Sequence, residues 1–154
     1  MKILACVILI FVLLIALGWA GLWVMAGRAQ PPVPLGLHLG KLAPCPDSPN
    51  CVSSYETSSE HGIAPLTFDG DPAAALARLD ALVAAMPGAY LEHVDGNYRH
   101  YTFRTRLMGY IDDVEFYLDG DVIHVRSASR SGYSDLGLNR KRVEAIRTAF
   151  LDAP

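Results

Sequence analysis

The apolar and polar positions along the chain follow distinct patterns, and the first is a continuous apolar run. Residues 3–26 include no charged side chain, and a helix of that length extends about 36 Å, enough to cross a hydrocarbon core of about 30 Å. In lipid a helix satisfies its own backbone hydrogen bonds. We therefore expect residues 1–28 to be a membrane anchor. A cleaved signal sequence is the alternative, although the run exceeds the usual signal core of about 7–15 residues and no clear Ala-x-Ala site follows.

The residues after this run are rich in proline and glycine. This composition in residues 29–41 disfavours a continued helix and predicts a semi-extended spacer. The folded domain is then predicted to cover residues 42–154. Lys2 and the amino terminus favour a cytoplasmic N-terminus, which would place this domain on the periplasmic, extracytoplasmic side of a single-pass membrane protein.

The domain opens with two cysteines, Cys45 and Cys51, in a loop without helix or strand propensity. Outside the cytoplasm their spacing makes a disulfide geometrically easy. A redox-responsive pair and a metal site are the alternatives. The spacing is not Cys-x-x-Cys, and no matching His or Cys pair follows to complete a zinc site.

The rest of the domain alternates between helical and strand periods. Asp71-Pro72 predicts the start of a helix, with the aspartate as N-cap. From Tyr90 onward the period changes to two and predicts two β-hairpins, and residues 139–151 again show helical spacing. We expect an α+β fold, in which an antiparallel sheet of four or five strands packs with two helices.

The turn at Asp119-Gly120 predicts the register of the second hairpin. A two-residue turn there pairs Leu118 with Asp121 and matches apolar residues across the strands. The same register sets Asp113 opposite Arg126, which predicts a structural ion pair between them.

The overall charge narrows the class of partner. The chain is 51% hydrophobic and 19% charged with a formal net charge of −3, and without Lys2 and Arg28 it keeps 11 basic against 16 acidic residues. This balance argues against a nucleic-acid partner held by bulk charge.

The densest polar stretch joins the end of the second hairpin to the last helix. Guanidinium groups, hydroxyls and the free N–H groups of a helix N-terminus suit a phosphate, sulfate or carboxylate ligand. The same residues could instead form an Arg–Asp network that holds the loop, using Asp112, Asp113 or Asp135. The candidate ligand-binding residues are Arg126, Ser127, Ser129, Arg130, Tyr133, Asp135, Asn139 and Arg140.

No constellation in the chain predicts catalysis, a metal or a cofactor. The sequence lacks a Gly-x-Ser-x-Gly elbow and a phosphate-cradling glycine loop. Asp112 and Asp113 alternate across a strand, so the two carboxylates do not easily share one metal ion.

Two groups of segments resemble the family called domain of unknown function 1499. Residues 44–54 look like its opening motif, and residues 112–116, 123–137 and 139–144 resemble its closing motif. The similarity spans about Leu42 to Leu151. Members are bacterial and plastid proteins, often with a membrane span or export signal, so the resemblance implies a membrane-tethered extracytoplasmic domain without an established activity, substrate or cofactor.

These observations favour a non-enzymatic accessory domain that contacts an envelope or membrane-complex partner. The alternative function is binding of a small anion at the Arg/Ser/Asp stretch. A hydrolase or a redox enzyme is the third and least favoured hypothesis.

Overall fold

The computed structural model describes residues 2–152. Residue 1 of the predicted anchor and residues 153–154 of the predicted domain lie outside these described residues. Three helices are present between them, α1 (Lys2–Ala26), α2 (Pro72–Ala84) and α3 (Leu138–Asp152). The strands of the same region are β1 (Leu37–His38), β2 (Lys41–Leu42), β3 (Cys51–Ser53), β4 (Leu66–Thr67), β5 (Ala89–Asp95), β6 (Tyr98–Arg104), β7 (Ile111–Asp119) and β8 (Val122–Ser129).

The helix α1 lies within residues 1–28, the predicted membrane anchor. It has 25 residues, and none of them is buried. By length and composition it is the one helix within residues 2–152 that could span a membrane. Its C-terminal end lies against the domain, where the Arg104 guanidinium stacks 3.5 Å from the centre of the Trp23 ring.

The main sheet is antiparallel and confirms the α+β prediction. It has six strands in the order β3-β8-β7-β6-β5, and β4 also pairs with β8. The sheet has one strand more than the predicted maximum of five: the strand predicted within residues 63–68 is present as β4, whereas β3, with three residues, is too short for a periodic pattern. A separate hairpin joins β1 to β2.

The two remaining helices form where the local sequence signals predict them. Asp71 caps α2, because its Oδ2 accepts a hydrogen bond from the Ala74 N–H at 2.9 Å, and Pro72 occupies the first turn. In α3 the buried positions Val143, Ile146 and Phe150 recur at helical spacing.

One face of the main sheet packs against α2 and α3 and forms the hydrophobic core. Alternate residues of β6, β7 and β8 point to this face, which we call the helix face. Its largest apolar side chains are fully or almost fully buried, and they include Tyr101, Phe103, Val114, Phe116, Ile123 and Val125.

The register of the β7–β8 hairpin differs from the prediction by one residue on each strand. Leu118 pairs with Ile123, and Asp119 pairs with Val122. The central turn residues are therefore Gly120 and Asp121. Gly120 has φ +60° while Asp121 is not among the residues with positive φ, which fits a type II′ turn with glycine first.

The other face of the sheet is also covered. Residues 29–43 follow α1 and lie over this second face of the sheet. We call this segment the strap. The Gly36 N–H donates to the Glu115 carboxylate at 2.7 Å, and the Ala29 carbonyl accepts from Arg130 at 3.2 Å. The predicted spacer therefore packs on the domain instead of standing free, and we call the covered surface the strap face.

Candidate functional site

The eight predicted ligand-binding residues do not share one surface. Because side chains alternate along β8, Arg126 points to the strap face while Ser127 and Ser129 point to the helix face. The remaining five lie at the end of this strand, in the following loop or in the first turns of α3. The polar stretch is thus divided between two layers of the protein.

On the strap face, Arg126 forms a buried ion pair with Glu115. The Arg126 Nη1 donates to Glu115 Oε2 at 2.9 Å, and the two side chains are 1% and 0% exposed. The second carboxylate oxygen accepts from the Tyr98 hydroxyl at 2.8 Å as well as from Gly36. This geometry makes Glu115 the charge that offsets Arg126.

The predicted pair between Asp113 and Arg126 is wrong. Asp113 lies opposite Ala128 and accepts hydrogen bonds from His100 Nε2 at 2.8 Å and from two Arg130 nitrogens at 2.7 and 2.9 Å. Burial alone would raise the pKa of Asp113, but the hydrogen bonds from His100 and Arg130 outweigh it and lower this pKa below its ordinary value. The carboxylate stays charged at neutral pH.

A second polar cluster on the helix face fastens α3 to the sheet. Asn139 Oδ1 accepts from the Ser127 hydroxyl at 2.5 Å, and its Nδ2 donates to Ser129 Oγ and to the Asn50 carbonyl, both at 2.9 Å. Arg142 donates to Asn139 Oδ1 at 2.6 Å and to Asp112 at 2.5 Å. Since Arg142 was not among the predicted residues, sequence reasoning missed a member of this cluster.

The other predicted residues have local roles or are exposed. Asp135 accepts from the Gly137 and Asn139 N–H groups at 3.0 and 2.6 Å, just before and within the first turn of α3. Arg140 donates to the carbonyls of Ser59, Glu60 and Gly62. Tyr133 is 76% exposed in the loop.

These contacts support an internal network more than a ligand site. Of the predicted set, Arg130, Asp135, Asn139 and Arg140 direct their polar atoms to other protein groups. Arg126 is only partly satisfied: its Nη1 donates to Glu115, but its Nε and Nη2 are buried without a hydrogen-bond partner. Binding of a small anion at these residues stays a prediction.

The predicted disulfide between Cys45 and Cys51 is present. Their Cα atoms are 5.6 Å apart, and the bridge closes the loop that precedes β3. The adjoining Asn50 carbonyl accepts from the Ser129 N–H at 3.0 Å, and its side chain donates to the Gly132 carbonyl at 2.6 Å. The disulfide loop therefore holds both the end of β8 and the loop after it.

Next to this loop, the surroundings of His124 favour its neutral form. Its Nδ1 lies 3.0 Å from Ser54 Oγ, and its ring stacks on Tyr55 with 4.0 Å between centroids. Burial lowers the pKa of His124 below its ordinary value of 6.5, and Lys41 lowers it further against the opposing effect of Asp119.

A groove lies between the C-terminal end of α1 and the domain. Its upper part, lined mainly by the domain, is a cavity of about 610 Å³. Its lower part, lined mainly by α1, is a cavity of about 410 Å³. Trp23 and Arg106 line both. A Cβ built on Gly109 would approach the Trp23 side chain to 2.8 Å, so glycine with φ +70° permits the loop between β6 and β7 to reach α1. We call this the juxtamembrane groove; its lining also includes Trp19, Met86, Tyr90, Phe103, Arg104, Leu138 and Arg142.

The groove carries positive charge without a nearby carboxylate. Within residues 2–152 no aspartate or glutamate lies within ion-pair distance of Arg104 or Arg106, whereas Arg142 is paired with Asp112. The same region contains no group of three or more potential metal-ligating side chains. The groove is thus an apolar cleft with two arginines that have no carboxylate partner within the described residues, and one of them, Arg104, stacks on Trp23.

Comparison with known proteins identifies the family of the domain. A family model described as "Protein of unknown function (DUF1499)" matches residues 41–150, from the start of β2 to the last turn of α3. The chain belongs to this family. The match confirms the resemblance carried by the cysteine loop and by the segment from β7 to α3. No curated protein matches this DUF1499 chain.

Sequence reasoning missed the groove because its parts are distant along the chain. Trp23 lies in α1, while Arg104 and Arg106 lie at the end of β6 and just after it. The available signal was the pair of arginines beside the apolar Leu107-Met108, a combination typical of a membrane interface.

Proposed function

We propose that this DUF1499 chain is a single-pass membrane protein whose folded domain stands outside the cytoplasm and contacts an envelope or membrane-complex partner. The observation that carries the proposal is α1, whose 25 residues are apolar apart from Lys2 and entirely unburied. Exposing that much apolar surface to water is unfavourable, and a bilayer would cover it.

The disulfide supports the proposal that the folded domain lies on the extracytoplasmic side of the membrane. Disulfides persist in oxidising compartments such as the periplasm and are rare in the cytosol. Cys45 and Cys51 lie in the domain, while Cys6, the remaining cysteine, lies in α1 as a free thiol.

The edge strand β5 supports a contact with a protein partner. It pairs with β6 on one side and is the last strand in the sheet order, so its outer backbone groups are available for an added strand. Three of its large apolar side chains, Tyr90, Leu91 and Val94, are 61%, 51% and 49% exposed. Tyr90 also lines the juxtamembrane groove, which would bring a partner close to the membrane.

Thiol labelling of the Cys6→Ser protein in sealed right-side-out vesicles tests the topology. We expect no reaction with a membrane-impermeant maleimide until an impermeant phosphine reductant is added, and labelling of both Cys45 and Cys51 after it. The vesicles should retain the protein after alkaline carbonate extraction. Labelling that requires lysis of the vesicles would place the domain on the interior side and contradict the proposal.

Site-specific photo-crosslinking tests the partner surface. A photoreactive side chain at Leu91 should give one discrete crosslinked product in native membranes, and the same group at Ala81, exposed on α2, should not. Equal crosslinking from both positions, or none from position 91, would contradict a partner at β5.

A further inference from the structure

We propose that the juxtamembrane groove binds one anionic phospholipid, with the phosphate at Arg104 and Arg106 and the acyl chains along Trp19 and Trp23. This inference rests on the proposed function, since it requires α1 to lie in a bilayer. It adds a ligand class and a site to that function.

The depth of the groove matches the headgroup region. Trp19 and Ala20 line its lower part together with Arg106. They precede Ala26, the last residue of α1, by six or seven positions, which corresponds to about 10 Å along a helix. Tryptophan favours the boundary between headgroups and acyl chains, so the groove opens at the level where lipid phosphates lie.

The charge of the groove suits a phosphate. Arg104 and Arg106 have no carboxylate partner within the described residues, and no acidic side chain lines either cavity there. The Nε of Arg104 is buried and has no hydrogen-bond partner, while its Nη2 donates to the Trp23 carbonyl at 3.4 Å. Phosphate oxygens would supply acceptors and the missing counter-charge.

The shape and surroundings suit a lipid rather than a free anion. The two cavities share Trp23 and Arg106, so the groove runs from the domain down along α1 into the region of acyl chains. Beside it, the loop between β6 and β7 exposes Leu107, Met108 and Tyr110 by 66%, 36% and 44%. A ligand with one charged end and one apolar end matches this arrangement.

Tryptophan quenching by brominated lipids tests the proposal directly, because Trp19 and Trp23 are the only two tryptophans of the chain. Full-length protein is placed in nanodiscs of phosphatidylcholine that contain a minor fraction of either phosphatidylglycerol or phosphatidylcholine with brominated acyl chains. We expect stronger quenching by the brominated phosphatidylglycerol, as each arginine at an anionic lipid surface corresponds to an enrichment of about five-fold.

Matched single-charge variants identify the residues responsible. Arg106→Gln should lose most of the preference for phosphatidylglycerol, and Lys41→Gln, which removes one exposed positive charge from the strap, should keep it. Inorganic phosphate at millimolar concentration should not remove the preference. Its removal by phosphate would overturn a lipid site in favour of a free-anion site.

The other outcomes separate this inference from the proposed function. Equal quenching by both brominated lipids, or a preference unchanged in Arg106→Gln, overturns the phospholipid site and leaves the membrane anchor intact. Quenching by neither lipid means that α1 does not enter the bilayer, which contradicts the proposed function and this inference together.

Discussion

The two faces of the main sheet are buried in different ways, although the same strands build both. The helix face packs Val114, Phe116 and Val125 against α2 and α3, and each of these is 0% exposed. The strap face buries Glu115 and Arg126 on the alternate positions of the same strands, at 0% and 1% exposure. Burial therefore does not follow hydrophobicity on the strap face, where it requires paired charges.

The comparison shows what the strap contributes. A segment that covers charged side chains needs polar groups of its own, and the strap supplies the Gly36 N–H and the Ala29 carbonyl. On the helix face the covering helices satisfy their own backbone and mainly bury apolar side chains. The strap face is thus held by specific hydrogen bonds and the helix face mainly by apolar packing.

Removing one charge from the strap face should have the largest effect. We expect Glu115→Ala to lower the free energy of unfolding by about 3–5 kcal/mol, because Arg126 is left buried without a counter-charge. Denaturant unfolding of the full-length protein in detergent measures it. Glu144→Ala is the control, since its pair with Arg147 is exposed and contributes at most about 1 kcal/mol.

Replacing both charges sharpens the same comparison. In Glu115→Leu/Arg126→Met we expect part of the lost stability to return, because an apolar pair of similar volume often replaces a buried ion pair at little cost, while the Tyr98 hydroxyl and the Gly36 N–H still lose their acceptor. A double variant as unstable as Glu115→Ala would mean that the charges themselves are needed on this face. A loss below about 1 kcal/mol in Glu115→Ala would contradict the buried pair.

Protonation of Asp113, on the strap face, should lower the stability of the protein at acid pH. Its pKa is lowered in the folded protein, so its contribution to stability is complete above the ordinary value of 3.8 and is lost as pH falls through the folded value. We expect Asp113→Asn to cost about 2–3 kcal/mol at pH 7 and to flatten the fall in stability below about pH 4. If the free energy of unfolding of Asp113→Asn falls below about pH 4 as steeply as that of the wild type, Asp113 is not the source of this pH dependence.

The disulfide should have a smaller effect than the charges. Cys45→Ser is expected to lower the free energy of unfolding by about 2 kcal/mol, because a short closed loop restricts the unfolded chain only modestly. Reduction of the wild-type protein should give the same shift, and Cys45→Ser should not respond to reductant. Equal stability of the reduced and oxidised protein would contradict the bridge as a stabilising element.

The smallest effect is expected from His124. Its pKa is lowered by burial, so the neutral ring stabilises the fold above the ordinary value of 6.5, and this contribution is lost as pH falls below it. His124→Gln should reduce the slope of thermal stability against pH between about pH 7 and pH 5. The same slope in the variant and the wild type would assign the dependence to other groups.

Local signals in the sequence predicted the helices and the disulfide, but not the pairing of charges. The N-cap at Asp71 depends on a few neighbouring residues, so the start of α2 was predictable. The β7–β8 register was not, because a shift of one residue on each strand keeps every side chain on its face and sets Phe116 opposite Val125 instead of Ile123. Both registers place apolar residues opposite one another. They differ in the turn, where the observed register has Gly120 as the first of the two central residues.

The candidate site was less predictable for a similar reason. A row of polar residues in sequence suggested one ligand site, but strand alternation sends Arg126 and Ser127 to opposite faces. The partner of Arg126 could be identified only with the correct register. The strap over this face was also hidden, since prolines and glycines predict a spacer without indicating what it contacts.

Arginine labelling of the native full-length protein compares buried and uncompensated charges in one measurement. With a dicarbonyl reagent and peptide mass spectrometry on protein in detergent from which phospholipid has been removed, we expect the exposed Arg106 to react rapidly and Arg126 to stay protected until the protein unfolds. This result would support an internal role for the charges of the strap face and an open arginine at the groove. Equal reaction rates for Arg126 and Arg106 in the folded protein would contradict the division between them.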